Sequence, residues 1–154
     1  MQDHWRRPSR RRVIVGVDGS DASLAALAFA AEEAALRGAS LHVLTVHEPA
    51  PPRRAPYAPP SGDPDESPEA AHSTAVDNAV AKFVDEAVDV HEHVSGRAPA
   101  VLLNASEGAV LLVVGRASDE TMLGPTARAC VTGAPCPVTV VTPERARTRV
   151  PVGA

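Results

Sequence analysis

Apolar residues fall along the chain in short β-branched runs separated by stretches of helical spacing. "VIVGV" (13–17) reads as a buried strand. It runs into Asp18-Gly19-Ser20, where Ser20 or Asp21 can cap a helix. Leu24, Leu27, Ala28, Ala31 and Ala35 then recur at helical spacing, and Gly38 stands where such a helix should stop. "LHVLTV" (41–46) is a second strand, apolar on both sides. Val76, Val80, Phe83 and Ala87 mark a second helix. "VDVHEHV" (88–94) alternates, with Asp89, His91 and His93 on one side, which predicts an edge strand or one exposed face. Pro99 can open a third helix that turns Val101, Leu102 and Ala105 inward and ends near Gly108. "AVLLVV" (109–114) is apolar throughout, as a central strand covered on both faces must be. A short helix over 125–132 leads through "GAPCP" to a last strand, "VTVVT" (138–142).

Five strands alternating with four helices predict an α/β fold, a parallel sheet with right-handed crossovers and helices on both faces. Such sheets take ligands at the carboxyl ends of their strands, where the strand order reverses. Asp18-Gly19-Ser20 and Gly115 lie at two of those ends. The pattern fills one domain, 13–143. A basic arm (1–12) with five arginines precedes it, and a tail (144–154) of loop composition follows. Within the domain, 48–72 is a proline-rich loop: eight prolines fall between Pro49 and Pro68, with no periodicity that could pack.

Composition narrows the function classes. The chain has 154 residues, 44% of them hydrophobic, enough for one full-sized core. A net charge of −4 and only 3% aromatics argue against a nucleic-acid surface or a base-stacking platform. No apolar run approaches the length of a membrane span, and no hydrophobic segment follows the basic N-terminus as in a leader, so a cytoplasmic location is expected. Cys130 and Cys136 are expected to be reduced thiols. The excess of arginine over the single lysine, Lys82, suits a GC-rich bacterial genome.

Candidate chemistry is sparse. His91 and His93 share a strand face and could ligate a metal with His42 or His47, but histidines on an exposed strand are ordinarily solvated and no carboxylate falls at a ligand spacing, so no metal site is expected. Asp119 and Glu120 could hold Mg²⁺ only beside a triphosphate. No serine sits in a nucleophile elbow and no C-x-x-C pair exists, so no catalytic residue is assigned and a non-enzymatic module is expected.

Four segments in this order and spacing, "VIVGVDGSDAS", "LHVLTVHEP", "LLVVG" and "GAPCPVTVV", resemble the universal stress protein family over roughly residues 12–143. The resemblance implies an adenine-nucleotide-binding-like sheet of order 3-2-1-4-5 and a homodimer formed through the last strand (138–142). It also implies that Asp18 meets the ribose or adenine region and that the backbone of Val46 meets adenine. The family's phosphate signature is G-x2-G-x9-G-(S/T). Here Gly115 matches its first glycine, but Ser118 stands at the second, only five residues separate Ser118 from Gly124, and Pro125 replaces the Ser or Thr. Proline supplies neither an N–H nor a hydroxyl. Each lost bond to a charged phosphate costs roughly ten- to a hundredfold in affinity. Arg116 and Thr126 offset this in part. The expected function is therefore a binding or regulatory module with weak or lost ATP affinity; the alternative is a genuine ATP-binding member whose loop uses Arg116, Ser118 and Thr126. No cofactor is demanded by the residues, and ATP is the candidate.

Overall fold

The computed structural model describes residues 11–49, 68–83, 88–116 and 123–143. Most of the basic arm and of the proline-rich loop, the tail 144–154, and Ser118 with its neighbours 117–122 lie outside the described residues; the end of the expected loop, 68–72, is helical instead, because Pro68 can open a helix at its first position. Five strands and four helices alternate: β1 (Arg12–Gly16), α1 (Asp21–Arg37), β2 (Ser40–His47), α2 (Pro68–Phe83), β3 (Val90–Ser95), α3 (Ala98–Ala105), β4 (Leu111–Gly115), α4 (Pro125–Gly133) and β5 (Val138–Val141). All neighbouring strands pair in parallel, in the order β3-β2-β1-β4-β5. The reversal of direction falls between β1 and β4, which leave a crevice at their carboxyl ends.

The pleat divides the core into two layers. Val13 and Val15 of β1, Leu41 and Val43 of β2, and Leu111 and Val113 of β4 pack under α1 and α2. Ile14, Leu44, Leu112 and Val114 point the other way, toward α3 and α4. Fully burying each such aliphatic side chain contributes about 1.5–3 kcal/mol, so the three central strands anchor the fold. β3 is an edge strand, in keeping with its polar face. β5 is the other edge, and all four of its residues are half-buried.

Helix α1 starts where the sequence places it. Ser20 caps it, its side chain accepting from the Ser23 N–H. Its end is a Schellman arrangement: the Gly38 N–H donates to the Ala35 carbonyl and the Ala39 N–H to the Ala34 carbonyl. The buried face differs from the expected one. Ala22, Ser23, Ala26, Leu27, Ala30 and Ala34 are buried, Leu24, Ala28 and Ala31 are half-buried at the flank, and Ala35 is exposed. An alanine-rich helix has little contrast between its sides, so close approach to β1 and β4 selects the face with the smallest side chains.

Strand bounds move by one or two residues from the periodicity. β3 begins at Val90 rather than Val88 because Asp89 is occupied with the start of β2: its N–H donates to the Leu41 carbonyl and its carboxylate accepts from the Leu41 N–H at 2.8 Å. α3 ends at Ala105, before Gly108, because the Ser106 hydroxyl donates to the Leu103 carbonyl and closes the last turn. Val76 and Val80 of α2 are buried as expected. Ala87 and the side chain of Phe83 lie outside the described residues.

Candidate functional site

The crevice begins in the turn after β1. The Asp18 carboxylate accepts from both the Ser20 backbone N–H (2.9 Å) and the Ser20 hydroxyl (2.5 Å), a local ring that turns the chain from strand to helix. The Ser23 hydroxyl donates to the Ser20 carbonyl, and its oxygen accepts from the Asp18 N–H. Gly19 sits within this turn at φ +85°, a conformation that suits glycine. Partial burial raises the pKa of Asp18, but the hydrogen bonds from Ser20, Ser23 and its own backbone outweigh it and hold the carboxyl below its ordinary value. Asp18 is therefore an anion at neutral pH, with one oxygen committed to the turn.

Across from it, β4 ends at Gly115. A side chain there would place Cβ 2.5 Å from the Ala22 carbonyl carbon and oxygen and 2.8 Å from the Ser23 nitrogen. The first turn of α1 lies directly against this strand end, and only glycine admits the contact. Gly115 thus has a packing reason that is independent of any ligand.

These two strand ends, the end of β2 and the starts of α3 and α4 enclose a cavity of about 620 Å³. Pockets of roughly 300–1,000 Å³ are the usual size for small-molecule ligands. Asp18, Val46, Gly115, Gly124 and Thr126 all line it. Five of the seven positions picked from the sequence thus meet around one space. Arg116 does not line the cavity; its backbone N–H donates to the Val141 carbonyl at 2.8 Å, and so continues the β4–β5 ladder. Ser118 lies outside the described residues.

The sequence reading missed the apolar wall made by Leu44, Leu102 and Val114, and it missed Asp21. The apolar positions were legible only as core, because strand-end residues that line a crevice look like those that fill a layer. Asp21 was read only as a cap. Its place in the first turn of α1 puts a second acidic residue at the cavity, while no lysine or arginine is among the described residues that line it.

The start of α4 closes the opposite side. Gly124 occupies its N-cap without a side-chain hydrogen bond, and Pro125 is the first helical residue. Proline is well suited to that position because the first-turn N–H groups have no partner within the helix. For an anion it is a poor choice, since one of those donors is missing.

The histidines of β3 do not stand alone. Residues two apart on a strand share a face, and α2 lays Asp77 over His91 and His93. The His93 ring also stacks on His47 of β2 at 5.1 Å between centroids. Cys130 is buried, Cys136 is half-buried, and both are free thiols. No helix among the described residues is long and apolar enough to cross a membrane.

Comparison with known proteins agrees with this architecture. No curated protein matches the chain. Among solved structures, a universal stress protein in complex with cAMP is 25% identical, with a TM-score of 0.62, covering 88% of this chain and 98% of that one. A universal stress family protein from Burkholderia pseudomallei is also 25% identical, with a TM-score of 0.58 and 88% and 97% covered. A universal stress protein from Archaeoglobus fulgidus in complex with dAMP shares the fold at 23% identity and a TM-score of 0.56, with 85% and 97% covered. The universal stress protein family model matches residues 9–142, from the strand that opens the sheet to the one that ends it. With that span, the 3-2-1-4-5 sheet and a crevice at its switch point, the chain belongs to the universal stress protein family.

Proposed function

We propose that this chain is a binding and regulatory module, not an enzyme, which keeps a nucleoside-sized crevice and has weak or no affinity for ATP. One observation carries the reading: the crevice presents Asp18 and Asp21, and no cation lines it among the described residues. Its apolar wall of Leu44, Val46 and Leu102 suits a base, and the relative solved with cAMP holds an adenine nucleotide. A triphosphate fits these residues poorly. Its charge would meet a cavity lined by two acidic residues, and Pro125 removes a donor from the helix start that would otherwise hold it. The reading also includes a homodimer formed through β5, an apolar edge that a second copy would cover.

Calorimetric titration with ATP and with AMP tests the nucleotide claim. ATP binding weaker than about 10 μM, some −7 kcal/mol, and no tighter than AMP, is the expected result. ATP bound more tightly than that overturns it. Thr126 on the cavity wall favours the second reading, a genuine ATP-binding member whose loop has found other donors. That reading requires tight ATP binding that the Arg116→Ala and Thr126→Val substitutions abolish.

A further inference from the structure

We propose that Asp77, His91 and His93 form a binding site for a zinc-type divalent transition-metal ion, with its fourth position open to solvent. The residues come from two elements that the fold packs together. β3 presents the two imidazoles on one face, and α2 carries the carboxylate that the spacing along the chain could not reveal. One ligand atom from each residue lies within 4.8 Å of the others. Asp77 Oδ1 is 2.8 Å from His93 Nε2 and 3.7 Å from His91 Nδ1. In a tetrahedral zinc site with bonds of about 2.0–2.1 Å, ligand atoms stand about 3.3 Å apart. The two carboxylate–imidazole separations lie on either side of that value and the third pair of ligand atoms lies within 4.8 Å, so side-chain rotation would have to close the three around an ion.

The outer contacts are those of a metal site. A ligating histidine ordinarily donates its second ring N–H to a fixed acceptor, which sets its tautomer and orientation. If His91 ligates through Nδ1, its Nε2 stands 3.1 Å from the hydroxyl of Thr45, a residue only 1% exposed. If His93 ligates through Nε2, its Nδ1 stands 2.8 Å from Nε2 of His47. Both nitrogens that face away from the metal therefore have partners, and both partners belong to β2, next to β3 in the sheet.

Two imidazoles and one carboxylate select zinc, copper or nickel over magnesium or calcium, which prefer all-oxygen shells. The side chains of His91, His93 and Asp77 are 21%, 34% and 50% exposed. An ion can enter from solvent, and a water can complete its shell. Three protein ligands and an open position describe an exchangeable site rather than a structural one.

Equilibrium dialysis of the full-length, tag-free protein against Zn²⁺ and, separately, Mg²⁺ tests the site. The expected result is a single Zn²⁺ per chain and no Mg²⁺. His93→Ala and Asp77→Asn should each weaken Zn²⁺ binding at least tenfold; Asp77 is half-exposed, so its replacement leaves folding intact by circular dichroism. Thr45→Val, which removes only the outer partner of His91, should weaken binding roughly 10- to 100-fold with the stoichiometry unchanged. Absorption of the Co²⁺ form should show tetrahedral nitrogen and oxygen ligation. Failure of the wild-type chain to bind Zn²⁺, affinity unchanged in both ligand variants, or cobalt–thiolate bands that point to Cys130 or Cys136 would each overturn the proposal.

Discussion

Replacing Gly115 with alanine separates what the fold needs from what a nucleotide would need. The new methyl group would sit 2.5 Å from the Ala22 carbonyl and 2.8 Å from the Ser23 nitrogen. Both are backbone atoms, so no rotamer change relieves the clash, and the first turn of α1 must move away from β4. Overpacking of this kind costs about 1–3 kcal/mol, and the rigid neighbours put this case at the upper end, about 3 kcal/mol. For a chain of this size each kcal/mol lowers Tm by roughly 2–4 °C, so a drop of roughly 6–12 °C is expected. Urea unfolding followed by circular dichroism, with no nucleotide present, measures the free-energy cost, and a thermal melt by the same signal measures the drop. Gly38→Ala is the control: its φ of +59° makes alanine strained, but nothing lies within 4 Å of the added carbon. Its cost should stay near the 1–2 kcal/mol of a left-handed alanine. A Gly115→Ala protein within about 0.5 kcal/mol of wild type would refute the packing argument and return Gly115 to a ligand role alone.

Ser20→Ala removes the cap of α1 and the hydroxyl that donates to Asp18; a loss of about 1 kcal/mol in the same unfolding assay is expected. His42 should make stability fall on acidification: burial, then repulsion from Arg12, lowers its pKa, while Asp89 works against them. The unfolded chain therefore takes up the proton more readily, so the contribution is intact above about 6.5 and is lost as pH falls toward the folded value. His91 acts in the same direction, and Asp18, also lowered, adds its loss only in the carboxylate range. The urea midpoint should drop between about pH 7.5 and pH 5.5, and His42→Gln should shrink that drop; a midpoint that rises would contradict the sign. Light scattering should give a dimer mass at micromolar concentration, and Val140→Lys on β5 should give a monomer; a wild-type monomer ends the dimer reading.

The succession of elements was legible because two periods, one of strands and one of helices, alternate cleanly along the chain. Leu112 and Val113 in an unbroken apolar run could belong only to a strand covered on both faces. The crevice was legible too, since a parallel sheet fixes where Asp18, Val46 and Gly115 must end up. What escaped was whatever depends on the angle between layers. The inward face of α1 was misplaced by alanines that carry little directional signal. Asp21 was read as a cap, although the same residue reaches the crevice. Asp77 and His93 are 16 residues apart, so the contact between them appears only once α2 lies across the edge of the sheet. Gly115 gives the opposite lesson: the residue matched a phosphate signature, yet its environment explains it without a phosphate.

The alternation along β2 sets Thr45 and His47 against Val46. The first two face the imidazoles, while Val46 borders the crevice. One ribbon of backbone thus serves two separate neighbourhoods, back to back. Side-chain substitutions can retune either without touching the other, whereas a shift of a single residue in the pairing of that ribbon would exchange their contents and spoil both at once.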